Sequence, residues 1–148
     1  MSAPDLRLAH ALDAGALGDI LTEAVAEHPW KPRLYSAAED ISHASQMIRH
    51  GWVTVALSCG KPAGFIAREE GYIHALFVAR KLRGRGLGGA LIEDAKKCSA
   101  QLDLWTFAQN HAARRFYRRS GFVEQAQTDV QNDEGLPEIR LVWKGRKA

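Results

Sequence analysis

The sequence predicts an α/β domain in which a mixed, mostly antiparallel sheet carries helices on its faces. Three observations lead there. Residues 52–78 are short β-rich runs joined by tight turns, as in a meander. Residues 87–119 alternate helix, strand and helix, each with its own periodicity. A run of glycine and arginine stands between the two stretches. With 148 residues and 46% hydrophobic content, the chain suits a single domain over residues 1–148 whose core closes without disulfides or metals.

In chain order, Leu6 to Leu8 reads as a short first strand. Asp13 then offers an N-cap to a helix in which Leu17, Ile20, Leu21, Ala24 and Val25 recur at helical spacing, ending before Pro29. His28 to Tyr35 holds two prolines with Trp30 and Tyr35 and forms a connecting loop. Ser36 and Glu39 have capping-box spacing and open a second helix, with Ile41, Ala44, Met47 and Ile48 as its apolar face and Gly51 as its stop. Trp52 to Leu57 and Ala63 to Ala67 make a hairpin around Cys59, Gly60, Lys61 and Pro62. Glu69, Glu70 and Gly71 turn the chain into a third antiparallel strand, Tyr72 to Val78, where Tyr72, His74 and Leu76 alternate onto one face. Leu87 to Cys98 is helical, Leu102 to Phe107 a strand, and Ala112 to Arg119 a helix stopped by Gly121. Phe122 to Val130 and Glu138 to Lys144 close the chain as a hairpin around a turn at Asn132 to Gly135.

The net charge of +3 and pI near 9.0 fit an anionic ligand but are too small to indicate nucleic acid. Its distribution says more. Arg80, Lys81, Arg83 and Arg85 form one cluster and Arg114, Arg115, Arg118 and Arg119 another, the second explained in part as a solvated helix face. The first residues run through Asp5, Arg7, His10 and Asp13 without a long apolar stretch, so a cytoplasmic protein without signal, membrane span or membrane partner is expected. Cys59 and Cys98 lack metal or redox spacing and read as free thiols, and no metal is expected.

The chemistry concentrates in Arg83, Gly84, Arg85, Gly86, Leu87, Gly88 and Gly89, between a strand and a helix. Unpaired N–H groups and the helix dipole favour an anion there, and glycines admit phosphate oxygens close to the backbone. Arginines on either side add charge-assisted hydrogen bonds. Gly84, Gly86 and Gly89 match Gly-x-Gly-x-x-Gly literally, yet Ala79 to Arg83 separate them from the strand, unlike a dinucleotide fold. No Lys-Ser/Thr pair follows Gly89, which disfavours a nucleoside-triphosphate loop. A diphosphate suits the segment best.

Two motifs in this part of the chain resemble the GNAT superfamily of acetyltransferases. Leu76, Phe77 and Val78 followed by Arg83-x-x-Gly86-x-Gly88 is similar to that family's acetyl-coenzyme A motif. Asn110-x-x-Ala113-x-x-Phe116-Tyr117-x-x-x-Gly121-Phe122 is similar to the segment that follows the next strand in many members. The resemblance covers the middle and later part of the chain and implies a GNAT-like sheet of six to seven strands with about four helices, splayed at an acetyl-CoA cleft. It implies that the strand Tyr72 to Val78 bulges away from Leu102 to Phe107. Main-chain groups of Leu76 and Val78, with Phe77 between them, would then line the acetyl and pantetheine site. Arg83 to Gly89, including Arg85 and Leu87, would cradle the diphosphate, and Asn110 would contact the pantetheine arm.

The resemblance further implies that Tyr117 protonates the departing thiolate. By spacing alone Tyr117 reads as a core aromatic beside Phe116. No glutamate stands where many relatives carry their general base, and Tyr72 and Trp105 occupy those places. His74 is a candidate substitute, since histidine as a residue type ordinarily changes charge near neutrality, with Glu69, Glu70, His111, a water path or an already neutral amine as other routes. Trp30, Tyr35 and the turn Asp133 to Pro137 are candidate walls for the acceptor. The expected acceptor is a small-molecule amine, with a protein or peptide amine as the alternative and a homodimer left open. A non-catalytic acyl-CoA sensor is the competing class, and a nucleic-acid-binding domain the least supported.

Overall fold

The structure, a computed structural model, describes residues 4–128 and 132–145. Strand β1 (Asp5–Leu8) leads through a short 3-10 turn to α1 (Ala14–Ala26), and a loop joins it to α2 (Ala37–Arg49). The meander β2 (Val53–Ser58), β3 (Lys61–Glu69) and β4 (Tyr72–Val78) follows. Then come α3 (Leu87–Cys98), β5 (Gln101–Phe107), α4 (His111–Arg119), β6 (Val123–Gln127) and β7 (Glu138–Lys144). The predicted extension of β6 to Val130 falls on residues outside those described.

Local chemistry accounts for most element ends. Ser36 Oγ accepts from the Glu39 N–H at 3.1 Å while the Glu39 carboxylate accepts from the Ser36 N–H at 3.0 Å, so the predicted capping box forms. Asp13 departs from its predicted role. Its carboxylate is held by Arg7 at 2.7 Å and accepts the His10 N–H at 2.9 Å, so it closes the 3-10 turn and ties β1 to α1 without capping α1. The β2–β3 turn is tighter than predicted: Cys59 and Gly60, both at positive φ, make the corner, and Lys61 and Pro62 already belong to β3.

Seven strands form one sheet in the order β1-β2-β3-β4-β5-β7-β6. The final strand inserts between β5 and β6, so the closing hairpin extends the sheet out of chain order and leaves β6 at its edge. Every neighbouring pair is antiparallel except β4 and β5, which meet in parallel at one register pair, Tyr72 with Asp103. The sheet is thus two antiparallel blocks joined at a single point.

Each face buries its own apolar cluster. Leu17, Ile20 and Ala44 of α1 and α2 cover Val53, Val55, Phe65 and Ala67 on one side. Gly18 lets these helices touch, because a Cβ there would collide with Ile41. On the other side Leu91, Ile92 and Tyr117 pack with Ile66, Leu102, Leu104 and Leu141. Leu91 and Leu141 have no solvent exposure, and each such side chain stabilises the fold by about 1.5–3 kcal/mol.

Candidate functional site

The gap between the two sheet blocks follows from one extra residue. Ala67 pairs with Ala75 and Arg68 with Ile73, so His74 is a bulge in β4. Beyond it, Ala79 donates to the Ala63 carbonyl at 2.8 Å. Bonded pairs recur at every second position of an antiparallel ladder, so Phe77 and Ala75 also face β3. The N–H and C=O groups of Leu76 and Val78 therefore point away from β3, toward the side where β5 has diverged.

A cavity of about 470 Å³ occupies that opening. Leu76, Phe77 and Val78 line it from β4, Gly84, Gly86, Leu87, Gly88 and Gly89 from the α3 entrance, and Asn110, Phe116 and Tyr117 from α4. Phe107 at the end of β5 and Glu27, His28, Trp30 and Lys31 at the end of α1 and in its loop complete the wall. Arg85 is exposed and stands outside this lining.

Gly86 is the residue before α3 and sits at φ 81°, where a side chain is disfavoured. The first bond into the helix is donated by Ala90 to the Gly86 carbonyl at 3.0 Å. The N–H groups of Leu87, Gly88 and Gly89 thus lie unbonded at the positive end of the helix. A Cβ added at Gly84, Gly86 or Gly89 would meet nothing within 4 Å, so the space before these amides is clear. Such a cradle fits an anionic diphosphate. Gly88 serves packing, since a Cβ there would press on the Phe116 ring at 3.3 Å.

Arg83 is held otherwise than a free phosphate ligand. Its guanidinium binds the Glu27 carboxylate, and its Nε donates to the Val78 carbonyl at 3.2 Å. The Arg83 bond holds the Glu27 carboxyl below its usual range, while Glu27 Oε2 is buried without a hydrogen-bond partner among the described residues. Glu23 adds a second clasp by accepting the Arg80 N–H at 2.6 Å. The C-terminal half of α1 therefore grips the segment leading into the glycine loop. Spacing along the sequence carries no sign of these contacts across more than fifty residues.

Tyr117 is buried, with Phe116 and Phe122 ring centroids at 5.2 and 5.4 Å in edge-on contact. Its core packing and its place on the cavity wall coexist. Among the described residues its hydroxyl makes no hydrogen bond, and burial pushes the phenol well above its ordinary range. Asn110 caps α4, its Oδ1 accepting the Ala113 N–H at 3.1 Å.

His74 lies elsewhere. The bulge breaks the alternation expected of β4 and places His74 with Tyr72 on the α1/α2 face, while Leu76 packs with the opposite cluster. Its ring stacks on Trp52 at 4.4 Å, and Nε2 meets Glu69 at 2.9 Å. It lines a second cavity of about 230 Å³ together with Tyr35, Asp40, His43 and Glu134. Of the predicted acceptor walls, Tyr35 stands there and binds Asp133 at 3.4 Å, whereas Trp30 stands on the first cavity with its edge to Phe107. Lys31 and Phe77 line both cavities. The α4 arginines divide: Arg114 binds Glu124 in a fork and the Ala108 carbonyl, while Arg119 reaches the first cavity.

The family described as Acetyltransferase (GNAT) domain matches residues 22–144. The chain belongs to the GNAT acetyltransferase family. An uncharacterised N-acetyltransferase of Methanocaldococcus jannaschii is 42% identical over 82 residues, which is 45% of this chain and 36% of that protein. Peptidyl-lysine N-acetyltransferase YjaB of Escherichia coli is 33% identical over 95 residues, 64% of each chain. This GNAT chain therefore spans less than two thirds of these relatives' length. The solved structure of YncA from Salmonella typhimurium, with its cofactor acetyl-CoA, shares the fold at a TM-score of 0.75 and 21% identity, over 99% of this chain and 96% of that one. Within the GNAT fold seen here, the two predicted motifs face each other across the first cavity. Among the described residues no helix is long and apolar enough to cross a membrane, and no cluster of three or more His, Cys, Asp or Glu could hold a metal.

Proposed function

We propose that this protein transfers the acetyl group of acetyl-CoA to a primary amine by direct attack in a ternary complex. One observation carries the reading: the main-chain groups of Leu76 and Val78, the bare N-terminus of α3 and the Tyr117 phenol converge on a single cavity. Acetyl-CoA bound there supplies the activated thioester. The unbonded amides of Leu87, Gly88 and Gly89 would hold its diphosphate, with Gly84 and Gly86 leaving room for the oxygens. Among the described residues the Asn110 side-chain amide nitrogen has no partner and could serve the pantetheine arm, because only Oδ1 is used in capping. A main-chain N–H of Leu76 or Val78 would stabilise negative charge developing on the acetyl oxygen.

Tyr117 holds its proton throughout the neutral range, since burial opposes the phenolate, and a hydroxyl without another partner can pass that proton to a thiolate. His74 faces the second cavity, so its role would be to take a proton from an ammonium on its way in, before attack. Glu69 on Nε2 orients the ring for that task.

The second cavity, at about 230 Å³ with Asp40 and Glu134 in its wall, suits a small-molecule amine. The likeness to a peptidyl-lysine acetyltransferase favours a lysine side chain as a second reading. Thiol release measured with polyamines, amino acids and lysine-containing peptides separates the two. If none of them supports release while acetyl-CoA still binds by calorimetry, the protein is a sensor and not an enzyme.

A further inference from the structure

Lys31 holds a position that the transfer reaction leaves unexplained. Among the described residues it is, with Phe77, one of two that line both cavities. Its backbone is fixed by a turn, with its N–H donating to the His28 carbonyl at 3.1 Å, and Pro32 follows. Its ammonium lies 5.2 Å over the Phe107 ring, at the end of β5 where the gap in the sheet opens. Trp30 packs against the same ring at 5.7 Å, so Phe107 is covered by two consecutive loop residues. Among the described residues Lys31 makes no ion pair within 4 Å and no side-chain hydrogen bond. Among the described residues the other basic side chains lining the two cavities are arginines and histidines, and no other lysine lines either one.

We propose that Lys31 is a self-acetylation site that takes the acetyl group from a coenzyme held in the first cavity of its own chain. The inference rests on the coenzyme reading given above. In the step, the Lys31 ammonium first releases a proton to solvent. Nζ then forms a bond to the acetyl carbon, the carbon–sulfur bond breaks, and its electron pair stays on sulfur. The second proton lost by nitrogen ends on that sulfur, leaving acetyl-lysine, free thiol and one released proton, with no change of oxidation state. Burial favours the first proton loss by lowering the ammonium's pKa, although Glu134 and Asp40 oppose it, and His28 and Glu27 share the first cavity's wall.

The exposed lysines 61, 81, 97 and 144 provide internal controls. The full chain is incubated with acetyl-CoA and no amine, at several protein concentrations, and its peptides are mapped by mass spectrometry. Lys31 is expected to be acetylated roughly tenfold or more faster than the exposed lysines, because an amine held beside a thioester needs no encounter. Its rate constant is expected to be independent of protein concentration. Lys31→Arg should remove this label without transferring it to another lysine. Trace acetic anhydride applied to coenzyme-free protein gives a second readout, with Lys31 labelling to half its maximal rate at a lower pH than Lys97.

Even acetylation across all lysines, or a rate proportional to protein concentration, overturns the proposal. So does an unmodified Lys31 in protein that binds the coenzyme and acetylates added amines. If calorimetry finds no coenzyme affinity and no amine is acetylated, the transferase reading itself falls, and this inference with it.

Discussion

The two cavities are built from different materials. The first owes its opening and its anion cradle to backbone: a bulged strand, three glycines clear of neighbours, and a helix end without a capping side chain. The second is made of side chains from α1, α2, the loop between them, β4 and the turn before β7, among them Tyr35, Asp40, His43, His74 and Glu134. A backbone site needs particular residues at particular steps, because few alternatives permit the same chain path. A side-chain site tolerates many compositions. Substitutions should therefore have large, single-residue effects on the first cavity and small, distributed effects on the second.

Tyr117→Phe is the strongest test of that contrast. Turnover at saturating substrate should fall roughly ten- to a thousandfold, the range of a general acid, while calorimetric affinity for the coenzyme stays near its original value. The phenol packs among aromatic rings, so phenylalanine preserves the core. Unchanged turnover would remove the acid from the donor side and with it the asymmetry between the halves.

Gly86→Val comes next. A β-branched residue at φ 81° costs about 1–3 kcal/mol, which lowers coenzyme affinity by roughly five- to a hundredfold if the strain is relieved by moving the loop. Calorimetry with the free thiol form measures it. Full affinity in a folded variant would show that the amides before α3 do not hold the ligand.

The same division explains what could be read from the chain alone. The bounds of Tyr72–Val78, Leu87–Cys98 and Glu138–Lys144 were visible in their periodicity and in the glycines and turns beside them. Eleven of the residues singled out in the strand, the loop, Asn110 and the α4 aromatic meet on one cavity because the motifs that name them encode backbone geometry. His74 was misplaced on β4 because a bulge adds one residue without marking the sequence, and alternation then points the wrong way. The grip of Glu23 and Glu27 on Arg80 and Arg83, the reach of Lys31 and Arg119, and the insertion of β7 beside β5 depend on contacts between distant segments. Local pattern holds no trace of those.

Anchoring of the side-chain half is open to a smaller test. Asp13, 4% exposed, binds Arg7 and the His10 N–H and joins α1 to the first strand. Asp13→Asn should lower stability by about 1–3 kcal/mol at neutral pH. The Arg7 bond depresses the folded-state pKa of Asp13, so the contribution is present above the unfolded value near 3.9 and is lost as pH falls through the lower folded one. Denaturation curves of the two proteins should therefore converge in acid. Curves that stay parallel to pH 2 would assign the effect to packing instead of charge.

The smallest effect belongs to Tyr35. Its hydroxyl donates to Asp133 across 3.4 Å at an exposed site, a long bond that water can replace. Its ring, edge-on to His43 at 4.7 Å, is what shapes the second cavity, and phenylalanine keeps the ring. Tyr35→Phe should then change the KM for the amine by about twofold and no more than fivefold, with kcat and coenzyme affinity unaltered. A rise in KM beyond that range would mean that the hydroxyl or the Asp133 it steadies touches the amine directly. The acceptor side would then depend on a single polar contact, as the coenzyme side does, and the distinction between a backbone site and a distributed side-chain site would not hold for this protein.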